Sequence, residues 1–431
     1  MSGLTLGIRP FAGKSQAAGI SKGLRLPRFS PIISARMNLY QHLSRVMSRG
    51  RDFVPQIDGL RFVAIIGVLA FHVRAITAWH YGITLESPTG ADGVVNWTFS
   101  AGSRGVELFF AISGFILGLP FARQYFAGGE PVRLKAYYLR RLTRLEPPYL
   151  IQLVFVFFVT WLFLRHQPSH RELYQQPDWL AQTLRHLGIS LFYGSGLLTH
   201  AHPQPNIVLW SLEIEVQFYL LAPLLARVFR ISPAPARRLT IISLMLLPSA
   251  LGQWVAWPAV SEWTLLGKLP FFMAGFLFCD LFLSGHVQTE RRSHLWDGLF
   301  FGSAMVVVGL AGLGLDYPFL PWLALLVFVA SFRGKLASWL LSRPLLTTIG
   351  GMCYTIYMYH WLMISGLIRL TIYCSTRIFW LDMLIQFVLM SVIIIAVCSV
   401  LFALFERPFM QRDWPQRFWA WLTKQNLQSE T

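Results

Sequence analysis

Apolar residues recur along this chain in long blocks separated by short polar segments, from residue 60 to residue 405. Roughly 20 apolar residues in a helix cross the hydrocarbon core of a bilayer. Ten stretches approach that length: 60–80, 105–122, 148–165, 208–229, 239–257, 264–284, 296–314, 318–333, 348–370 and 381–405. They predict an all-α polytopic membrane protein with about ten transmembrane helices. The eighth stretch is short, and Pro248 interrupts the fifth. The run LGISLFYGSGLL at 187–198 is shorter still and is assigned to a loop.

Composition sharpens that picture. Of 431 residues, 55% are hydrophobic and 13% charged, about half the charged share of a soluble domain. A soluble enzyme and a disordered chain are excluded. Net charge is +17, from 37 Lys+Arg against 20 Asp+Glu. The bases are scattered between apolar blocks, so a membrane topology accounts for them and no nucleic-acid partner is expected. Cytoplasmic segments of membrane proteins are enriched in Lys and Arg. With ten spans and the N-terminus inside, inner segments hold 28 of the 37 bases, nine of them between Arg9 and Arg51. Both termini are therefore expected to be cytoplasmic.

Three segments follow: a basic tail over 1–52, a transmembrane domain over 53–410 and a short cytoplasmic tail over 411–431. The first 51 residues contain no Asp or Glu. That pattern suits a flexible tail, a transit peptide, or an upstream start with Met37 or Met47 as the true beginning. No internal repeat is visible, which weighs against an inverted-repeat transporter. The cysteines Cys279, Cys353, Cys374 and Cys398 form no CxxC pair and read as small buried hydrophobes. No metal site is indicated.

Ionisable residues inside spans are costly and mark function by default. Arg61 and His72 are eleven residues apart, which on a helix places them on one face about 16 Å apart. Arg61 then lies near the cytoplasmic surface and His72 deeper. A membrane-surface anchor and a packed core histidine are the alternatives for each alone. In the second span, Glu107 stands at the outer end and Ser113 near mid-depth, where Ser113 is expected to hydrogen-bond its own helix. Gly114 and Gly118 form a small-xxx-small pair that suits close helix packing. Arg140, Arg141 and Arg144 cluster where the third span begins, as headgroup contacts or as a polyphosphate site. Glu213 and Glu215 enter the fourth span with Gln217 and Tyr219, and Arg104 or Arg185 could supply their partners. Tyr357 and His360 lie one turn apart in the ninth span. An NWT sequon occupies 96–98 on the predicted outer loop.

Taken together, these strings resemble the acyltransferase-3 family of integral membrane proteins, from about residue 55 to residue 410. The family's Arg, ten residues, His motif matches Arg61 and His72. Its G-V-D-L-F-F-x-x-S-G-F matches GVELFFAISGF at 105–115, and its R-R-x-x-R-I-x-P-x-Y matches Arg140, Arg141, Arg144, Pro147 and Tyr149. Its W-S-L-S-V-E-x-Q-F-Y matches Trp210, Ser211, Leu212, Glu215, Gln217, Phe218 and Tyr219. Its Y-x-x-Y-x-x-H-W matches Tyr354, Tyr357, His360 and Trp361. Glu107 departs from the usual Asp and Glu213 from the usual Ser. About 20 residues follow 410, so the membrane unit is expected without the esterase-like domain often fused to it.

The resemblance implies an O-acyltransferase of the bacterial inner (plasma) membrane, with acyl-CoA, most often acetyl-CoA, as donor substrate and no permanently bound cofactor. The acceptor would be a hydroxyl, usually of a glycan or lipid-linked glycan. A thioester is already activated, so the alcohol needs chiefly a base and an electrophilic site. His72 is the candidate base, with Glu107 and Glu215 orienting it or gripping the acceptor. His360 is a lesser candidate for the base. Arg61, Arg140, Arg141 and Arg144 are candidates for the CoA phosphates. Ser113, Gln217, Tyr219, Tyr357 and His360 are candidate substrate contacts. The rival readings are a multi-pass transporter of an organic anion or glycan precursor and a non-catalytic lipid- or glycan-binding protein.

Overall fold

The computed structural model describes residues 43, 53–80, 90–166, 179–252, 263–287, 292–313, 318–411 and 413–420. All of these fall in the unit His42–Thr431. The tail expected over 1–52 lies, Leu43 apart, outside the described residues, as does 421–431. Among the described residues every regular element is a helix, in agreement with the predicted fold class. Helix α1 is Pro55–His80, α2 is Gly90–Ala101 and α3 is Gly105–Phe126, the last two linked by the 3-10 turn Gly102–Arg104. Next come α4 (Leu134–His166), α5 (Trp179–Leu191), α6 (Ser195–Thr199), α7 (Trp210–Leu225), α8 (Ala234–Gly252) and α9 (Leu265–Leu283). The last six are α10 (His294–Gly312), α11 (Leu320–Arg333), α12 (Lys335–Leu341), α13 (Pro344–Gly351), α14 (Cys353–Thr371) and α15 (Phe379–Leu401).

Seven helical segments among the described residues are long and apolar enough to cross a membrane. They are Pro55–Trp79, Gly90–Phe126, Leu134–Leu162, Ile207–Arg230, Leu265–Leu283, His294–Leu313 and Phe379–Glu406. Leu320–Arg333 is a shorter apolar helix. The fifth predicted stretch extends past α8 and beyond the described residues. The ninth, expected to be continuous over 348–370, is broken between α13 and α14 at Met352. Just before the break the backbone packs closely against α1: a Cβ on Gly350 would sit 1.8 Å from the Asp58 carbonyl oxygen. The segment 187–198 is not a loop. It holds the end of α5 and all of α6 but Thr199, parted by a turn in which Tyr193 takes φ 55°.

The burial pattern is that of a bundle in lipid. Val154, Phe158, Val388, Val392 and Val400 point outward, while Gln152, Asp280, His360 and Gln386 are fully buried. Water does not oppose outward apolar side chains in a bilayer, whereas a polar group there needs protein partners. Helix α1 lies at the centre, packed by α2, α3, α12, α13, α14 and α15. Helices α3 and α9 approach most closely through glycine: a Cβ on Gly114 would meet the Phe272 carbonyl oxygen at 2.2 Å. The small-xxx-small reading therefore holds. Phe115, Phe218, Phe272, Phe276, Phe278 and Phe328 fill the core around that contact.

Prolines inside helices leave carbonyls without their usual donors, and two are answered by side chains from other segments. Pro223 in α7 removes the donor to the Tyr219 carbonyl, and the Tyr137 hydroxyl donates to that oxygen at 3.2 Å. Pro147 in α4 removes the donor to the Thr143 carbonyl, and the Trp414 indole donates there at 2.9 Å. Cys279 and Cys398 are buried as expected, but Cys374 is exposed in the turn after α14, so the buried-hydrophobe reading fails for it.

Candidate active site

Helices α1 and α14 run side by side, and each brings one histidine to their contact. His72 Nδ1 lies 3.3 Å from His360 Nε2, with the ring centroids 4.8 Å apart. His72 is half-buried and His360 fully buried. Phe71 and Trp361 close edge-on around His72 at 5.0 and 5.3 Å. Neither Glu107 nor Glu215 is hydrogen-bonded to His72, whose polar contacts are the Val68 carbonyl and His360.

A collar of hydrogen bonds fixes α14. Tyr354, Tyr357 and His360 recur every three residues and so share a face. The Tyr354 hydroxyl donates to the Leu145 carbonyl at 3.1 Å, and the Tyr357 hydroxyl to the Val208 carbonyl at 2.8 Å. Tyr357 also meets the Ser211 hydroxyl at 2.5 Å. From neighbouring segments, Gln152 and Asn206 both donate to the Met358 carbonyl. The family string Tyr354, Tyr357, His360 is thus one positioning device.

A cavity of about 680 Å³ lies beside this device, within the size range that holds small molecules. Arg61, Arg123, Arg140, Arg141 and Arg144 line it, with Asp58, Glu130, Glu215 and Glu406 as its carboxylates. Ser113, Ser211, Tyr219, Tyr354 and Tyr357 also line it. The Tyr357 ring stands 5.5 Å from the His360 ring, so the cavity wall reaches the histidine pair. Arg61 pairs with Asp58 at 2.5 Å, and Arg141 lies over Tyr137 and Tyr219 at 5.6 and 5.7 Å. Of the sequence-predicted site residues, Arg61, Ser113, Arg140, Arg141, Arg144, Glu215, Tyr219 and Tyr357 therefore meet at one cavity.

The carboxylates have other partners than expected. Ser113 donates to Glu215 Oε1 at 2.5 Å, across from α3 to α7, and not to its own helix. The Tyr219 hydroxyl bonds the same carboxylate. Glu213 uses no arginine: it accepts from the backbone N–H groups of Ser195 and Gly196 at 3.1 and 2.8 Å. Those amides open α6, where helical donors lack partners. Gln217 holds the start of α9, accepting from Leu265 N–H at 2.8 Å and donating to the Trp263 carbonyl. Glu107 lies apart from the cavity lining, 3.8 Å from Arg104 and 3.6 Å from Lys268. Glu406 accepts from both the N–H and the hydroxyl of Thr355.

Lys268 and Asp58 were missed in the sequence. Lys268 is an ionisable residue within an apolar block, the signal already used for His72. Asp58 stands three residues before Arg61, a spacing that pairs charges on a helix.

Comparison with known proteins agrees with this picture. The profile of the acyltransferase domain family Acyl_transf_3 matches residues 54–403. The chain is 30% identical over 194 residues to peptidoglycan O-acetyltransferase OatA of Listeria monocytogenes, covering 43% of this chain and 26% of that protein. It is 29% identical over 181 residues to O-acetyltransferase OatA of Staphylococcus aureus, covering 40% and 24%. It is 27% identical over 358 residues to putative peptidoglycan O-acetyltransferase YrhL of Bacillus subtilis, covering 72% and 48%. The match thus spans between a quarter and a half of these relatives' lengths. No solved structure matches. With most of its length matched and the motif residues gathered in one helical bundle, the chain belongs to the acyltransferase-3 family.

Proposed function

We propose that this chain transfers an acyl group, acetyl in the first instance, from cytoplasmic acyl-CoA to a hydroxyl of a carbohydrate acceptor. The names of its relatives make peptidoglycan the first acceptor to try. In this reading the protein sits in a bacterial plasma membrane with ten spans and both termini cytoplasmic. His72 acts as general base. Arg61, Arg140, Arg141 and Arg144 bind the CoA phosphates, because guanidinium groups recognise phosphate through paired hydrogen bonds. Glu107, near Arg104 and Lys268, serves the acceptor side.

The observation that carries the proposal is the cavity: arginines line it, and its wall at Tyr357 adjoins the histidine pair. A donor with a polyphosphate at one end and a thioester at the other suits that arrangement. Glu215, held by Ser113 and Tyr219 in the same cavity, orients the donor's reactive end.

The test is CoA release by purified protein in nanodiscs, given acetyl-CoA and soluble peptidoglycan fragments. His72→Ala is expected to lower kcat about 10²–10⁴-fold, the usual contribution of a general base. Arg61→Ala should mainly raise KM for acetyl-CoA, by about tenfold or more for one charge-assisted hydrogen bond. A folded wild type that neither binds acetyl-CoA nor releases CoA sinks the proposal, and transport of an organic anion becomes the next assay.

A further inference from the structure

As neutral rings, the two imidazoles have only one mutually consistent arrangement of protons. His72 Nδ1 lies 3.0 Å from the Val68 carbonyl oxygen, and His360 Nδ1 lies 2.6 Å from the Tyr357 carbonyl oxygen. A carbonyl oxygen only accepts, so each Nδ1 carries a proton. In a neutral ring the lone pair is then on Nε2. Two separate contacts thus agree: the Nδ1–H of His72 faces both the Val68 oxygen and the Nε2 lone pair of His360. The Nε2 lone pair of His72 is left for chemistry.

His360 is suited to hold that state. It is fully buried, and the Tyr357 hydroxyl anchors its helix to Val208 and Ser211. A carboxylate could serve the same orienting purpose, as in hydrolase triads, but it would bring a charge into a buried site in the bundle. Neutral imidazole avoids that desolvation cost.

We propose that His360 is a positioning residue that locks His72 in its Nδ1–H tautomer, so that His72 Nε2 takes the proton from the acceptor hydroxyl. This inference rests on the proposed acyl transfer with His72 as base. As the hydroxyl oxygen forms its bond to the thioester carbon, its proton passes to His72 Nε2. The C–S bond then breaks, and the proton returns to the departing CoA sulfur. Throughout, the His72 Nδ1–H stays directed at Val68 and His360.

The experiment compares His360→Gln with His360→Met in the full chain in nanodiscs, using acetyl-CoA and soluble peptidoglycan fragments. The two side chains match in length, but only Gln presents a strong acceptor oxygen where Nε2 now lies. His360→Met should lower kcat about 10–100-fold, as loss of an orienting partner does at other sites. KM for acetyl-CoA should stay within about twofold of wild type, because no donor contact is touched. His360→Gln should recover most of kcat, and His360→Met added to His72→Ala should cost nothing further. Should His360→Met fail to fold, His360→Leu takes its place.

Equal loss in the Gln and Met variants, or a loss confined to KM, overturns the tautomer lock. So does a further fall in the double variant. A dead His72→Ala beside a fully active His360→Met removes the lock and leaves the base intact. An active His72→Ala removes the base, and the lock with it.

Discussion

Ser113 and Glu215 stand 102 residues apart and meet at 2.5 Å in the wall of the arginine-lined cavity. Glu215 is also held by Tyr219, so a half-buried carboxylate has two hydroxyl donors from two helices. Removing one donor leaves part of a half-buried carboxylate unanswered, at a cost of about 1 kcal/mol. Groups in one such network couple when mutated together. Ser113→Ala, Glu215→Gln and the double variant should therefore be non-additive in acetyl-CoA affinity, by about 0.5–3 kcal/mol. Titration calorimetry in nanodiscs reads this directly. Strict additivity would show that the pair does not act as a unit in donor binding.

The proline at 147 carries a second expectation. Its missing N–H exposes the Thr143 carbonyl, and the Trp414 indole donates there at 2.9 Å. Trp414→Phe keeps the ring but loses the donor, which should cost about 0.5–1.5 kcal/mol and lower the melting temperature. Pro147→Ala restores a backbone donor to Thr143. In that background Trp414→Phe should cost less than in the wild type. A full-size loss in both backgrounds would assign the effect to packing against Phe409 instead.

Much of the bundle and part of the site were legible before any coordinates, for definable reasons. Apolar block length reports helices able to cross a bilayer, so the spans at 60–80, 208–229 and 264–284 reappear as helices. Helix periodicity aligned Arg61 with His72 but is silent on contacts between helices. Nothing in spacing couples His72 to His360, which are 288 residues apart. The break at Met352 lies inside one apolar block, so block length does not show it. Charge counting also misled: Glu213 was given a cationic partner, whereas its donors are peptide groups. Sequence shows side-chain charges plainly and unpaired amides hardly at all.

The NWT string gives a third prediction. Asn96 is only 4% exposed within α2, and its Oδ1 accepts from Arg74 Nε at 2.7 Å. Glycan transfer needs an accessible Asn side chain, and this one is committed to a bond between α1 and α2. Expressed in a eukaryotic secretory system, the folded protein should show no mobility shift on glycosidase treatment. Asn96→Ala should instead destabilise it by about 1–3 kcal/mol, since the Arg74 guanidinium loses an acceptor. A glycan found on Asn96 of the folded protein would refute this account.

Glu213 stands where the family usually has Ser, and its geometry says what the longer side chain does. Its two oxygens span the amides of Ser195 and Gly196, the first donors of the short helix α6. A serine at that position ends well short of both amides, and Gln offers one acceptor oxygen where Glu offers two. Local opening of α6 should thus become easier in the order Glu, Gln, Ser, with each lost charge-assisted bond worth about 1.5–3 kcal/mol. Hydrogen exchange over peptides covering 195–199 measures that opening. Exchange at α15 should not change, because Glu213 touches nothing there. Unaltered protection of 195–199 in Glu213→Ser would mean that the carboxylate does not hold α6.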